Sequence, residues 1–397
     1  MSDVILVVNA GSSSIKFKLY RVADGAPALL LAGAMSGIGS RPALSVTDGA
    51  GAVVDARGYA PGDVPDTAAA QHCVADWLRH HVGEAAITAV GHRVVHGGPA
   101  HAEPVRIDDA VLRRLESFVP LAPLHQLRNL DPIRVLRQRR PDLPQVACFD
   151  TAFHRGQPEE SERLALPRAL YDEGVRRYGF HGLSYEFVTG RLREIAPGVA
   201  GGRVVIAHLG SGASLCALED GRPRETTMSF TALDGVPMGT RPGSLDPGIV
   251  LHLIAQKGLS PAEVGHMLYH ESGLLGLSGL SGDVRALLAS DRPEAALALD
   301  VFCRRVAQAV ASLAVTLGGL DALVFTAGIG ENAPAIRQRV VAALAWAGLS
   351  LDEAANRAGA GRIDAPGSRA EIRIVPTNEE LTIARHTLRL LGRPVPA

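Results

Sequence analysis

Four clusters of small residues have the clearest chemical potential in this chain: GSSS at 11–14, GSGAS at 210–214, GTRPGS at 239–244 and AGIGEN at 327–332. Small side chains let a backbone come close to a ligand, and successive N–H groups in a turn form a concavity for anions. Asn9 precedes the first cluster and Lys16 follows it, so an amide oxygen and an ammonium flank the turn. Such groups suit phosphate oxygens and a hard cation. AGIGEN lies between an apolar run and a helix start, where the helix dipole favours phosphate or ribose oxygens. One glycine-rich turn is ordinarily only a tight turn. Two at matching places in the two halves of a chain point to a nucleotide held in a cleft between domains.

The usual phosphate signatures do not account for these turns. GxxxxGK[ST] is absent. The first turn joins two strands rather than a strand and a helix, which excludes the dinucleotide-binding fingerprint. The protein-kinase signature set is missing as well.

Composition narrows the classes further. A chain of 397 residues suggests two or three domains. With 47% hydrophobic and 20% charged residues it can fill packed cores. A formal net charge of −1 gives no electrostatic basis for nucleic acid or membrane binding, and 4% aromatics leave little for a base-stacking surface. Cys73, Cys148, Cys216 and Cys303 are widely spaced without a CxxC pair, so buried thiols are expected rather than zinc or disulfides. No basic leader and no apolar run of ~20 residues stands out, which leads us to expect a cytoplasmic protein without a membrane anchor.

The elements that must position these groups follow from periodicity. Residues 3–9 and 14–22 read as two strands joined by a tight turn, with Ser14, Lys16 and Lys18 on one face and Ile15, Phe17 and Leu19 on the other. Residues 28–35 suggest a third strand, and 145–149 a short one ending at Asp150. Helical spacing predicts helices over 66–82, 108–118 and 299–317, the last stopping at Gly318–Gly319. Strand 322–327 should lead through a glycine-rich turn into a helix that carries Pro334 in its first turn. Strand 372–376 should lead through TNEE into a final helix over 380–391. Strands alternating with helices give an α/β protein. Residues 203–221 repeat the opening pattern: with Gly210 on Gly11, Ser211 falls on Ser12, Leu218 on Leu19 and His208 on Asn9. An offset near half the chain reads as a duplicated domain.

Ten motifs then occur in order: VNAGSSSIKF (8–17), GHRVVHGG (91–98), PLH (123–125), FDTAFH (149–154), RRYGFHG (176–182), HLGSGAS (208–214), MGTRPGSLDPG (238–248), SGDVR (281–285), FTAGIGEN (325–332) and PTNEEL (376–381). Over nearly its whole length the chain resembles the acetokinase family. That resemblance implies two similar ribonuclease H-like, actin-like ATPase domains with a nucleotide cleft between them. The expected boundaries are 1–150 plus 379–397 for the N-terminal domain and 151–378 for the nucleotide-binding C-terminal domain. It also implies reversible phosphoryl transfer from ATP to acetate, giving acetyl phosphate and ADP. Magnesium is the implied metal, with manganese the alternative, and the implied assembly is a homodimer.

By the same resemblance, Arg93 binds the acetate carboxylate, and Val95 and Pro237 wall a small acyl pocket. Arg241 steadies the transition state and His181 donates to the phosphoryl in flight. Asn9 and Glu379 are associated with the metal, Glu380 being the alternative to Glu379. Nucleotide contacts are carried over to Ser12, Ser14, Lys16, His208, Leu209, Gly210, Ser211, Gly212, Asp283, Val284, Arg285, Gly328, Ile329, Gly330, Glu331 and Asn332. The family describes Asp150 as an acid/base residue. Acetate at neutral pH has no proton to lose, however, so no general base is required. Asp150 is expected instead to orient magnesium-bound water or Arg241.

Departures from the family pattern are Ser211 where asparagine is common, PLHQLRN at 123–129 in place of PLHNP, and Gly282 and Ala286 in place of serine and aspartate. Serine shortens the reach at 211, and PLHQLRN alters the acyl pocket or its rim. Two rival readings share the architecture. One is a kinase for propionate or another short-chain carboxylate, since a single methylene is worth only ~1–3 kcal/mol in a hydrophobic pocket. The other is an actin-like structural or switching ATPase, which would not need Arg93, His181 and Arg241 together.

Overall fold

The computed structural model describes residues 4–11, 14–23, 26–82, 87–123 and 125–392. The chain divides into two compact units, Met1–Phe153 with Asn378–Ala397, and His154–Thr377.

In the first unit β1 (Val4–Ala10), β2 (Ser14–Ala23), β3 (Ala26–Ser36), β4 (Ala43–Asp48) and β5 (Val53–Gly58) run as an antiparallel meander. On the other side of β1, β6 (Ile87–Val94) and β8 (Gln145–Phe149) are parallel to it, and β7 (Val105–Arg106) closes the edge antiparallel to β8. The sheet order is β5-β4-β3-β2-β1-β6-β8-β7. In β2 the alternation is as the residue types require: Ile15, Phe17 and Leu19 are buried while Lys16 is exposed. Leu6, Ile15 and Phe17 pack with Val74, Trp77 and Leu78 of the helix Thr67–His81, which Asp66 caps by accepting from the Ala69 N–H. The last helix, Glu379–Leu390, packs against β6 at Gly91. A Cβ there would lie 2.5 Å from both Ile383 and Thr387, so only glycine lets the helix approach this closely.

In the second unit β9 (Arg203–Leu209), β10 (Ala213–Glu219) and β11 (Arg222–Thr226) are antiparallel, and β12 (Ala322–Thr326) and β13 (Glu371–Ile374) run parallel to β9. The order β11-β10-β9-β12-β13 repeats the order and strand directions of β3-β2-β1-β6-β8. This doubled layout is the ribonuclease H-like, actin-like ATPase fold. The two hairpins differ by one residue. Ala10 pairs with Ile15 across a turn at 11–14, whereas Leu209 pairs with Ala213 across 210–212. The uniform offset therefore fails after the turn. Ala217, not Leu218, corresponds to Leu19, and Ser214 stands where Lys16 stands in the first unit.

Two other expectations change. The helix expected over 299–317 runs Pro293–Thr316, starting earlier because its first turns are alanine-rich and show little periodic contrast. AGIGEN is itself a short helix, Ala327–Asn332, rather than a turn. Ala327 enters it at φ 65°, and its N–H donates to Glu331 Oε1 at 2.8 Å, which closes the first turn. The four cysteines form no disulfide. Among the described residues no helix is long and apolar enough to cross a membrane.

Candidate functional site

The first unit brings four of the sequence-predicted residues together at the C-terminal ends of its parallel strands, where open α/β sheets present ligands. Asn9 is near the end of β1, Arg93 near the end of β6, Asp150 just beyond β8, and Glu379 opens the last helix. The Arg93 guanidinium donates from Nε to Asp150 Oδ1 at 2.9 Å and from Nη2 to Oδ2 at 2.6 Å. Its Nη1 donates to Asn9 Oδ1 at 3.2 Å, and Glu379 Oε2 lies 3.8 Å from Nε. Burial opposes the charge on Arg93, but Asp150 and then Glu379 more than offset it, so its pKa is raised. Burial pushes Glu379 up to about 7; Arg93 pulls it down, while Asp150 and Glu380 add to the rise.

Glu380 has a different partner. Its carboxylate lies 2.9 Å from Lys18 Nζ, which also donates to Asn378 Oδ1 at 3.1 Å. Glu379 is therefore the member of TNEE that faces Arg93. Lys16 pairs with Asn9 across β1 and β2 and lowers the pKa of Glu379. Ser14 accepts the Gly11 N–H through its backbone carbonyl at 2.8 Å, which closes the turn. Ser12 lies outside the described residues.

The donor set is oxygen, an amide carbonyl at Asn9 and a carboxylate at Glu379, while the Asp150 carboxylate is engaged by Arg93. It fits magnesium, which prefers oxygen and keeps several waters. Among the described residues no group of three His, Cys, Asp or Glu could hold a metal. These side chains would therefore complete a shell made mostly of phosphate and water oxygens.

PLHQLRN has a supporting role that its spelling did not disclose. Gln126, fully buried, accepts the His96 N–H at 3.1 Å and donates to His96 O at 3.0 Å. Asn129 accepts the Val95 N–H at 2.9 Å and donates to Ala10 O at 2.7 Å. The two amides thus fix the backbone of Val95 and His96 and tie it to Ala10 at the end of β1. Val95 is buried. Leu124 lies outside the described residues.

The second unit gathers His181, His208 and Arg241 around the turn at 210–212. His181 has a left-handed backbone, φ 59°, at the start of the helix Gly182–Ile195. Its ring stacks on His208, with centroids 4.2 Å apart and planes at 13°. His181 Nδ1 is hydrogen-bonded to Ser214 Oγ at 2.8 Å, and His208 Nδ1 to Ser184 Oγ at 2.8 Å. A Cβ on Gly212 would lie 2.8 Å from Arg241 Nη2 and 3.4 Å from His181 Nε2, so both side chains converge on this glycine. Arg241 Nη1 donates to Ala232 O at 2.7 Å, and burial lowers the guanidinium pKa. Its loop is locked to the turn, since Gly239 N donates to Ser211 O at 3.0 Å. Pro237 is buried in the same loop.

The remaining nucleotide candidates divide by what they can offer. Gly210 and Gly212 close their own turn, Gly210 N to Gly212 O at 3.0 Å. Leu209 and Val284 are buried, so only their backbones could meet a ligand. Asp283 caps its helix and holds Arg285 at 2.6 Å. Glu331 Oε1 accepts from the Ala327 and Thr377 N–H groups at 2.8 and 3.1 Å, so it shapes the helix Ala327–Asn332 that also carries Gly328, Ile329 and Gly330. Asn332 donates to Gly328 O at 3.0 Å. Sequence reasoning missed Tyr185 and Ser214 beside His181, and Gln126 and Asn129 behind Val95. Ser214 lies within HLGSGAS and Tyr185 one helical turn after His181, so proximity in sequence was the available signal.

The model of the Acetokinase family matches residues 4–385. The chain is 54% identical to the acetate kinase of Nitrobacter hamburgensis over 98% of its own length and 96% of that protein's. Among solved structures, a propionate kinase from Francisella tularensis is 36% identical with a TM-score of 0.89, covering 98% of this chain and 99% of that one. An acetate kinase from Porphyromonas gingivalis is 34% identical with a TM-score of 0.85, covering 98% of this chain and 100% of that one.

Proposed function

The chain belongs to the acetokinase family, and from that premise we propose that it catalyses reversible transfer of the terminal phosphoryl group of ATP to acetate. The observation that carries this reading is the approach of Arg241 Nη2 and His181 Nε2 to the same point over Gly212. Two donors aimed at one point suit the equatorial oxygens of a phosphoryl group in flight, where positioning and charge stabilisation supply most of the catalysis.

In the forward direction a carboxylate oxygen of acetate attacks the γ-phosphorus. The bond from phosphorus to the β–γ bridging oxygen breaks, and ADP leaves with that electron pair. No proton moves, so no side chain acts as a base. Arg93 binds the acetate carboxylate, because a guanidinium fork matches its two oxygens. Asp150 occupies the Nε–Nη2 edge and holds the guanidinium in place, leaving the Nη1–Nη2 edge for acetate. Asn9 and Glu379 would hold magnesium, which when bound would neutralise charge on the phosphate oxygens. In the second unit the backbone of the turn at 210–212 and of the helix at 327–332 takes the nucleotide.

A propionate kinase is the second reading, favoured by the likeness to the Francisella enzyme. A homodimer is supported by the helix Pro247–Ala255, which is almost wholly apolar yet has no buried residue. The deciding assay traps acyl phosphate as hydroxamate with acetate, propionate and butyrate. Acetate-dependent product, fastest with acetate, is expected. ATP hydrolysis indifferent to any carboxylate would refute the kinase reading.

A further inference from the structure

Ser214 Oγ lies 2.8 Å from His181 Nδ1 and 2.5 Å from the Tyr185 hydroxyl. All three residues belong to the second unit: Ser214 on β10, Tyr185 in the first turn of the helix Gly182–Ile195, His181 just before it. Ser214 and Tyr185 are both fully buried. A buried hydroxyl keeps its proton and spends it on a hydrogen bond. Burial also raises the pKa of Tyr185 well above its ordinary value, so it remains a donor. The short oxygen–oxygen distance is that of an O–H···O bond.

Two proton orders fit these contacts, and the direction of His181 Nε2 toward Gly212 selects between them. Ser214 has one proton and two neighbours. With Tyr185 donating into Ser214 Oγ, the serine proton goes to His181 Nδ1, which accepts it. A neutral imidazole that accepts at Nδ1 carries its own proton on Nε2. Nε2 is the atom directed at Gly212, beside Arg241. The other groups facing this set are His208, stacked on His181, His154, edge-on to Tyr185 at 5.5 Å, and the Cys216 thiol. Arg241 already supplies a positive charge at that point. A donor without charge meets the requirement.

We propose that Tyr185 and Ser214 are positioning residues that hold His181 as the neutral Nε2–H tautomer, so that it presents a hydrogen-bond donor to the transferring phosphoryl group. The assignment deepens the kinase reading and rests on it for its purpose, though the hydrogen-bond order can be measured without turnover.

The test uses the full chain labelled with ¹⁵N-histidine, ligand-free, at a pH where the ring is neutral. Long-range ¹H–¹⁵N spectra distinguish the tautomers, and the His181 signals are those lost in His181→Gln. A protonated Nε2 and a lone-pair Nδ1 are expected in the wild type. Ser214→Ala and Tyr185→Phe should shift the ring toward a tautomer mixture and lower kcat by about tenfold, with KM for ATP little changed, as for loss of an oriented donor. Ser214→Thr should restore the wild-type spectrum. An Nδ1–H signal in the wild type overturns the proposal, and that spectrum decides even if the variants fail to fold. A Tyr185→Phe enzyme that loses kcat with an unchanged tautomer overturns it too. Nε2–H without acetate-dependent product would refute the kinase reading and leave the hydrogen-bond order standing.

Discussion

Arg93 and Asp150, 57 residues apart in the chain, meet fork to fork through two parallel hydrogen bonds of 2.9 and 2.6 Å. Asp150 is almost fully buried, and its carboxylate is engaged on both oxygens. In the proposed reaction Asp150 holds Arg93 and carries no proton. Asp150→Asn keeps the shape and removes the charge. With its holder weakened, Arg93 loses its position, and misplacement by about 1 Å costs on the order of 10²-fold, so kcat/KM for acetate should fall roughly 100-fold and the magnesium requirement should rise. The pH–rate profile should keep its shape. Loss of a single basic limb with magnesium dependence intact would show that Asp150 acts as a base after all.

Gly212 tests the convergence of Arg241 and His181. An alanine Cβ would lie 2.8 Å from Arg241 Nη2, closer than side chains tolerate, so the guanidinium must move. Misplacement by about 1 Å costs on the order of 10²-fold in rate. Gly212→Ala should therefore lower kcat by that order, with the melting temperature close to wild type. Steady-state kinetics beside a thermal melt separate the two effects. Full activity would mean that the two side chains do not act at this point.

Glu379 links stability to pH. Its folded pKa, about 7, lies above the ordinary carboxylate value of 4.5. In the unfolded chain it therefore loses its proton first. The stabilisation is fully present below about pH 4.5 and is lost as pH rises toward 7. The total is on the order of 3 kcal/mol. Denaturant melts in EDTA from pH 4.5 to 8 should show Glu379→Gln gaining on the wild type across this window. Parallel curves would remove the argument.

Val95 bears on acyl choice. Its side chain is buried while its N–H is held by Asn129, so truncation should enlarge the pocket without freeing the strand. Val95→Ala should raise the propionate-to-acetate ratio of kcat/KM by roughly tenfold, since one methylene is worth about 1–3 kcal/mol. Hydroxamate formation from both acids measures it. An unchanged ratio would exclude Val95 from the pocket wall.

The exposed helix Pro247–Ala255 bears on assembly. Ile249 and Leu251 are 48% and 67% exposed on it. If they are covered by a second copy, Leu251→Glu should yield a monomer in sedimentation while leaving the helical spectrum intact. A wild type that already sediments as a monomer would end the proposal.

Much of the scaffold was legible because it depends on short-range rules. Alternation in Ser14–Ala23, the helical spacing over 66–82 and 108–118 and the stop at Gly318 involve residues a few positions apart. The motif order likewise singled out Arg93, His181 and Arg241 from the other arginines and histidines. AGIGEN was misread because glycine content suggests a turn, whereas the Glu331 carboxylate returning to the Ala327 N–H closes a helix. The shift at Leu218 was hidden because the two hairpin connections differ by one residue, a difference visible only in the strand pairing.

The linear chain thus determined which groups are available, the strand–turn–strand units that display them and the family they belong to. Only the tertiary structure decided their partners: Asp150 with Arg93, Glu380 with Lys18, Ser214 with both His181 and Tyr185, Asn129 with both Val95 and Ala10. Those choices join residues that are mostly far apart in the chain. They depend on which polar groups are buried together and must satisfy one another, a condition that spacing along the sequence does not encode.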